Sequence, residues 1–345
     1  MKLRRIIALI TLVVVIGGSI YGYSIYKSIF SANTTFSQNK VAVYLPTNAS
    51  YEQVQDSIRP YIKDMERFDM VANKKAYSDN VRAGKFVLTK GMNSNEIVNA
   101  LRQPVPVRVS FNNQETLADA VGRIAQQVEP DSLALLQAFT DKEFLRDHEL
   151  NKDNVLSILV PNTYEFFWDV SAYKLTERMA REYRKFWNED RKAKAAALGL
   201  TPLEVISLAA IVHKETVKAD ERPRVAGVYI NRLNKGMKLE ADPTVIYAVK
   251  RQTGDFNQVI KRVYFKHLEV DSPYNTYMYE GIPPGPIAMP DISAIDAVLN
   301  AEKHNYIFFC ASVTNIGYHE FAVTASQHAA NRRKYIAWVN KNNIK

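Results

Sequence analysis

The chain has 345 residues, 47% of them hydrophobic and 23% charged, values that exclude wholesale disorder and leave room for two or three domains with their own cores. Thirteen Gly and 14 Pro exclude collagen-like and low-complexity architectures, and the one cysteine, Cys310, excludes an internal disulfide and a thiolate metal cluster. Lys2, Arg4, Arg5 and Lys27 account for four of the +9 net charge and leave +5 for residues 28–345, a mild bias without clustered Lys/Arg that does not point to nucleic acid.

The first element is a stretch of 21 residues, Ile6 to Tyr26, without a charge. At about 1.5 Å per residue it can cross a hydrocarbon core of about 30 Å. Lys2, Arg4 and Arg5 precede it, so the positive-inside bias puts residues 1–5 in the cytoplasm and the body outside. Tyr21, Tyr23 and Tyr26 gather at the outer end, where amphipathic rings favour the interface. The rival is a cleaved signal peptide, with Gly17-Gly18-Ser19 as the cut, but apolar sequence continues past those residues. The expectation is an uncleaved anchor over 6–26.

A polar linker over 27–40 leads to a small module over 41–104. Its elements are a strand at 41–45, a helix to about Ile62 opened by the capping pair Ser50/Gln53, a strand at 81–88, and a helix to about Leu101 capped by Asn93/Glu96. Val105, Val107, Val109 and Phe111 alternate as a half-buried strand does. Helices are expected at 116–127 and 132–139, and a long one from a Ser171 cap to Leu198, stopped by Gly199. Residues 105–200 form a connecting subdomain.

Residues 201–345 carry the densest signals. Thr201-Pro202-Leu203-Glu204 is a capping box with Pro at the first helical position, opening a helix to about Val217. Pro223 opens a second helix ended by Gly236, and Asp242-Pro243 a third. A strand follows at 306–311, and a last helix at 327–340. The fold class is α+β.

The candidate acid is Glu215. Glu204, Leu208, Ile211 and Glu215 share one helical face, so the carboxylate ends an apolar stripe. Desolvation there raises its pKa, and a carboxyl that stays protonated near neutrality is what glycosidic cleavage needs. The bland reading is an amphipathic helix whose last turn reaches water, with Glu215 pairing Lys218. Glycosidases ordinarily use two carboxyl groups, and Glu221, Glu240 and Asp242 are the possible partners. Asp242 is more simply a helix cap and Glu221 a residue of an exposed turn, so a one-carboxylate mechanism stays open. His213-Lys214-Glu215 resembles half of a zinc-deaminase motif whose cysteine half one cysteine cannot supply. No H-E-x-x-H, G-x-S-x-G, Walker A or G-x-G-x-x-G occurs, so no metal and no cofactor is expected. Cys310, inside an apolar run, reads as an inert buried thiol.

Residues 208–290 resemble the endolytic murein transglycosylases of the YceG-like type. The resemblance is carried by Leu208-Ala-Ala-Ile-Val-His-Lys-Glu-Thr216, Val228-Tyr-Ile-Asn-Arg-Leu233, Gly236-Met-Lys-Leu239, Asp242-Pro-Thr-Val-Ile-Tyr247, Tyr274-Asn-Thr-Tyr277 and Gly281-Ile-Pro-Pro-Gly285, in family order and spacing. Upstream, Ala83-Gly-Lys-Phe-Val-Leu88 with Gly91-Met92 resembles the family's LysM-like module, and Val160-Pro-Asn-Thr-Tyr164 its P-D-T-Y segment.

The resemblance implies cleavage of peptidoglycan strands between N-acetylmuramic acid and N-acetylglucosamine, internally, leaving a 1,6-anhydro ring. It places the catalytic glutamate at Glu215. The first acid of the family's I-x-E-K-E-T motif is His213 here, and Leu156-Ser157 stand where a Glu-Gly pair is usual. By motif, Asp242, Thr244, Tyr247, Tyr274, Asn275 and Tyr277 are expected to bind substrate, and His319, Phe321 and His328 to orient cleft loops. The expected protein is a single-pass enzyme of the cell inner membrane, its catalytic body over 201–345 on the extracytoplasmic side. Its partners would be glycan strands, the membrane and cell-wall synthesis proteins. The alternatives are a non-catalytic peptidoglycan-binding scaffold and a water-using glycoside hydrolase.

Overall fold

The apolar N-terminal run forms one continuous helix, α1 (Lys2–Phe30), in the computed structural model, which describes residues 2–342. Residue 1 of the expected tail and residues 343–345 of the expected catalytic domain lie outside the described residues. Within α1 the 22 residues Ile6–Lys27 are long and apolar enough to cross a membrane, and none of them is buried against protein.

Contacts group the chain, α1 included, into two units. The first runs to Val109 and takes in Gln127–Pro130 and Tyr164–Ser171; the second comprises Ser110–Gln126, Asp131–Thr163 and everything from Ala172 on. The expected connecting subdomain is therefore divided rather than separate.

In the first unit β1 (Lys40–Leu45) pairs antiparallel with β2 (Gly84–Thr89), Val41 opposite Leu88 and Val43 opposite Phe86. Between them lie α2 (Tyr51–Ile58) and α3 (Met65–Lys74), and α4 (Ser94–Ala100) follows. Ser50/Gln53 and Asn93/Glu96 each form a reciprocal capping box. α2 ends four residues before the expected Ile62 because Pro60 lies in the 3-10 turn Arg59–Tyr61 that follows it. α3 is an element the sequence pattern does not announce; it is capped by Asp64 and buries Phe68, Val71 and Ala72. Alternate residues of β1 and β2 meet the three helices in a core around Leu45, Ile58, Phe68, Phe86 and Leu101. β3 (Val107–Phe111) follows, and the division between the units falls within it.

The second unit begins with short helices, α5 (Leu117–Ala125), α6 (Ser132–Phe139) and α7 (Lys142–Asp147), and β4 (Asn162–Phe166) again straddles the division. The long helix expected from 171 to 198 is two: α8 (Ala172–Phe186) and α9 (Glu189–Ala197). Asn188 leaves helical geometry and its side chain accepts from the Arg191 amide, capping α9, while Trp187 is buried at the break. The centre is α10 (Pro202–Glu215), packed against α11 (Arg222–Asn234), α12 (Asp242–Thr253) and, after the short α13 (Phe265–Leu268), α14 (Ile292–Leu299). The antiparallel pair β5 (Phe308–Ala311) and β6 (His319–Ala322) and the terminal α15 (Ala325–Lys341) complete it.

Every residue of α10 from Val205 to Val212 is buried, so the helix is a core rod and not the one-sided stripe expected. Close approaches fix the loops around it. A Cβ at Gly285 would collide with the Asp153 carbonyl, and one at Gly227 with the Glu302 carbonyl and the His304 ring. Glycine at 227 thus lets the segment before β5 cross α11, where Asn231 Nδ2 donates to the carbonyls of His304 (2.8 Å) and Tyr306 (3.0 Å).

Candidate active site

α10 starts at the Thr201/Glu204 capping box with Pro202 in its first turn, and it ends two residues before the expected Val217. Thr216 turns extended at φ −141° and ψ 134°, which makes Glu215 the last helical residue. A carboxylate there faces the negative end of the helix dipole. Its Oε1 accepts from the Tyr229 hydroxyl at 2.7 Å, and Lys218 is not its partner: that ammonium lies 5.0 Å over the Tyr318 ring.

Glu215 opens on a cavity of about 400 Å³ walled by α10, α11, the turn into α12, Tyr277, the β5–β6 pair and α15. Burial pushes the Glu215 carboxyl up to about 7; the Asp242 charge adds to the rise and the Tyr229 hydrogen bond opposes it. The residue is partly exposed because the carboxyl faces the cavity, while protein surrounds it on the other sides. Tyr229 is itself buried, its phenol pushed up first by burial and then by Glu215, so it stays protonated and donates. Its ring packs edge-on against Phe309, centroids 5.8 Å apart.

Two further carboxylates share the wall. Asp242 Oδ1 accepts from the Tyr277 hydroxyl at 2.7 Å, and its side chain does not cap α12, contrary to the simpler expectation. Burial, then Asp242, raises the Tyr277 phenol. Glu240 has a left-handed backbone (φ 48°) and pairs with Arg232 at 2.5 Å. Arg232 also donates to the Leu239 carbonyl and lies over the Phe308 ring. The guanidinium is thus committed to Glu240 and its turn, leaving Glu215 with a hydroxyl rather than a cation.

His319 and His328 complete the polar lining. His328 stacks on Phe308, centroids 5.1 Å apart. Glu221, expected in an exposed turn, is buried: it accepts from both the backbone amide and Nδ1 of His319, at 2.7 and 2.8 Å. Cys310 is half-buried on the cavity wall, not deep in the core, with its thiol pushed up by burial and by Glu320. Among the described residues no cluster of three His, Cys, Asp or Glu is placed to hold a metal ion.

Of the six residues expected to bind substrate, the cavity gathers Asp242 and Tyr277. The other four do not line it. Thr244 is buried, its hydroxyl between the Ala241 carbonyl (2.7 Å) and Thr276 Oγ1 (2.8 Å). Asn275 is buried and donates to the carbonyls of Leu268 (2.9 Å) and Val270 (2.8 Å), stapling its own loop. Tyr274 is buried between Tyr247 (4.7 Å) and the Arg251 guanidinium (4.8 Å). Tyr247 faces a separate cavity of about 180 Å³, beside Glu115, Lys214 and Lys250. Hydroxyls and amides at these motif positions satisfy buried backbone, which a short loop without regular structure requires. Sequence reasoning missed Tyr229 and Arg232, which lie three residues apart in the Val228–Leu233 motif and so share the face of α11 that lines the cavity.

His213 is turned away from Glu215. Its Nδ1 lies 3.2 Å from Asp291 and 3.4 Å from Arg222, and it is absent from the cavity lining.

The model of the YceG-like family matches residues 43–334 of the chain. The chain belongs to the YceG-like family. A relative from Bacillus subtilis (strain 168), named endolytic murein transglycosylase, is 27% identical across 95% of this chain and 92% of its own length. A second so named, from Streptococcus pneumoniae (strain ATCC BAA-255 / R6), is 25% identical over 89% of this chain, which spans 60% of that relative. The crystal structure of a YceG-like protein from Listeria monocytogenes is 27% identical, covers 85% of this chain and 99% of its own, and superposes with a TM-score of 0.56. The matched family region contains every residue of the Glu215 cavity named above.

Proposed function

We propose that this YceG-like chain is an endolytic lytic transglycosylase of peptidoglycan, with Glu215 as its acid. The observation that carries the reading is the Glu215 carboxyl itself: raised to about 7 by desolvation, hydrogen-bonded by Tyr229 and open to a cavity large enough for sugar rings. Two relatives named for this activity support it. With Oε1 receiving the Tyr229 hydroxyl, Oε2 is the oxygen that carries the proton toward the glycosidic bridge. As the bridge oxygen takes that proton, positive charge grows on the muramic C1, and the substrate's acetamido group and the wall carboxylates Asp242 and Glu240 favour it. Closure of the sugar's C6 hydroxyl on C1 then needs a base, and the newly ionised Glu215 is one group able to serve. Asp242 and Tyr277 are the cleft residues we assign to the glycan.

Residues 6–26 act as an uncleaved anchor that keeps the body outside the cytoplasm, consistent with an unburied helical span of 22 residues that is apolar on average. The module over 41–104 is a LysM-like glycan-binding domain by its Gly91-Met92 resemblance. The deciding experiment is digestion of purified peptidoglycan by the full chain in detergent, with the new glycan ends weighed by mass spectrometry. Anhydro ends are expected; ends heavier by one water make the protein a hydrolase, and uncut strands make it a scaffold.

A further inference from the structure

The turn between α10 and α11 buries a carboxylate that the acid step does not use. The Glu221 side chain is 3% exposed, and both its oxygens are spent on one residue across the fold: Oε1 on the His319 amide and Oε2 on His319 Nδ1. Taking a carboxylate out of water is costly unless it is well paired. The Tyr318 hydroxyl bonds Asp220 at 3.1 Å beside it, so the turn and the β5–β6 pair are joined there as well. What the carboxylate adds is orientation. Accepting at Nδ1, it fixes the imidazole tautomer with the proton on Nδ1 and the lone pair on Nε2. The ring is further held edge-on by Phe309, centroids 5.0 Å apart. His319 lines the Glu215 cavity and Glu221 stands behind it, outside the lining.

We propose that His319, oriented by Glu221, is the base that takes the C6-hydroxyl proton while Glu215 acts as the acid. The inference rests on the transglycosylase reading above. In the step, Glu215 gives its proton to the bridging oxygen as the bond from C1 to that oxygen breaks. The C6 oxygen forms the new bond to C1, and its proton passes to His319 Nε2. The imidazolium is neutralised by Glu221, then releases its proton to solvent, from which Glu215 is recharged. No water enters the product. Glu221 is a positioning residue and His319 a catalytic one, and the division spares a single carboxyl from being acid and base within one turnover.

The test uses the full chain in detergent with purified peptidoglycan, and folding is checked by thermal unfolding. His319→Ala is expected to lower kcat about 100-fold with KM nearly unchanged, and added imidazole to restore roughly tenfold of that loss. Glu221→Gln should lower kcat about tenfold and add nothing on top of His319→Ala, since it acts through that ring. His319→Gln, which keeps a donor for Glu221, should fold like the wild type and remain slow. The proposal is overturned by His319→Ala or His319→Gln working within threefold of wild type, by no recovery with imidazole, or by additive losses in the double variant. An inactive wild type, or a Glu215→Gln variant at full rate, rejects the transglycosylase reading itself. A dead Glu215→Gln beside a fast His319→Ala rejects only the base.

Discussion

The last turn of α10 places two ionisable groups two residues apart in opposite surroundings. On one side His213 sits between Asp291 and Arg222, and Arg222 closes the group by binding Asp291 (3.2 Å) and Ser293 (2.6 Å). On the other, Glu215 meets a phenol, a neighbouring carboxylate and open space. Burial depresses the imidazole and raises the carboxyl, favouring the neutral form of each. The difference lies in the partners. Around His213 opposite charges complete one another, and nothing is left to react. Around Glu215 no cation is supplied among the described residues, so a transferable proton is held beside a cavity. Burial alone does not distinguish a structural site from a reactive one; the charge balance around the buried group does.

Removing the reactive side of that comparison has the largest expected effect. Glu215→Gln keeps size and the Tyr229 contact but not the proton, and peptidoglycan cleavage should fall roughly 1000-fold with the unfolding transition still cooperative. The same variant tests the energetic side. The carboxyl is near 4.5 when unfolded and about 7 when folded, so the folded state binds the extra proton between those values. The cost of ionising Glu215 is absent below about pH 4.5, grows as pH rises, and is complete above about 7, on the order of 3 kcal/mol at most. Glu215→Gln should therefore be more stable than wild type at pH 8 and no more stable at pH 4, as read from thermal unfolding across pH.

Tyr229→Phe takes away the hydroxyl that donates to Glu215. That hydrogen bond lowers the carboxyl pKa, so its loss raises it, and the alkaline limb of the pH–rate profile should move to higher pH. The rate on the plateau should drop about tenfold as the carboxyl loses its fixed orientation. The smallest effect belongs to the structural side. His213→Ala should change the cleavage rate less than about threefold and stability by about 1 kcal/mol, since the half-exposed Asp291 keeps Arg222. A loss as deep as that of Glu215→Gln would show that His213 takes part in the reaction.

Local signals were the legible ones. The capping boxes Ser50/Gln53, Asn93/Glu96 and Thr201/Glu204 all form, because each joins groups three residues apart and needs no distant partner. The expected 171–198 helix broke at Trp187-Asn188 because strong helix formers on both sides hide a cap whose site a buried Trp187 selects. α3, α7, α14 and β6 passed unannounced; they are short, and packing supports them more than their own propensity. At the site, the same residue types carried two outcomes. Tyr277 reached the cavity while Tyr274, three residues earlier, became core, and the motif spacing does not tell one from the other.

By itself the sequence determined the apolar span over 6–26, the helix starts and the family motifs, among them the stretch that carries Glu215. These depend on composition, on contacts within one helical turn, or on a run of residues in order. The tertiary structure decided which groups share the cavity: Tyr229 from α11, Asp242 from the start of α12, Tyr277 from a loop, and His319, 104 positions after Glu215, with Glu221 behind it. It also decided that His213 is neutralised and Glu215 is not. Such outcomes depend on charges and burial brought together from distant segments, and packing alone selects those neighbours.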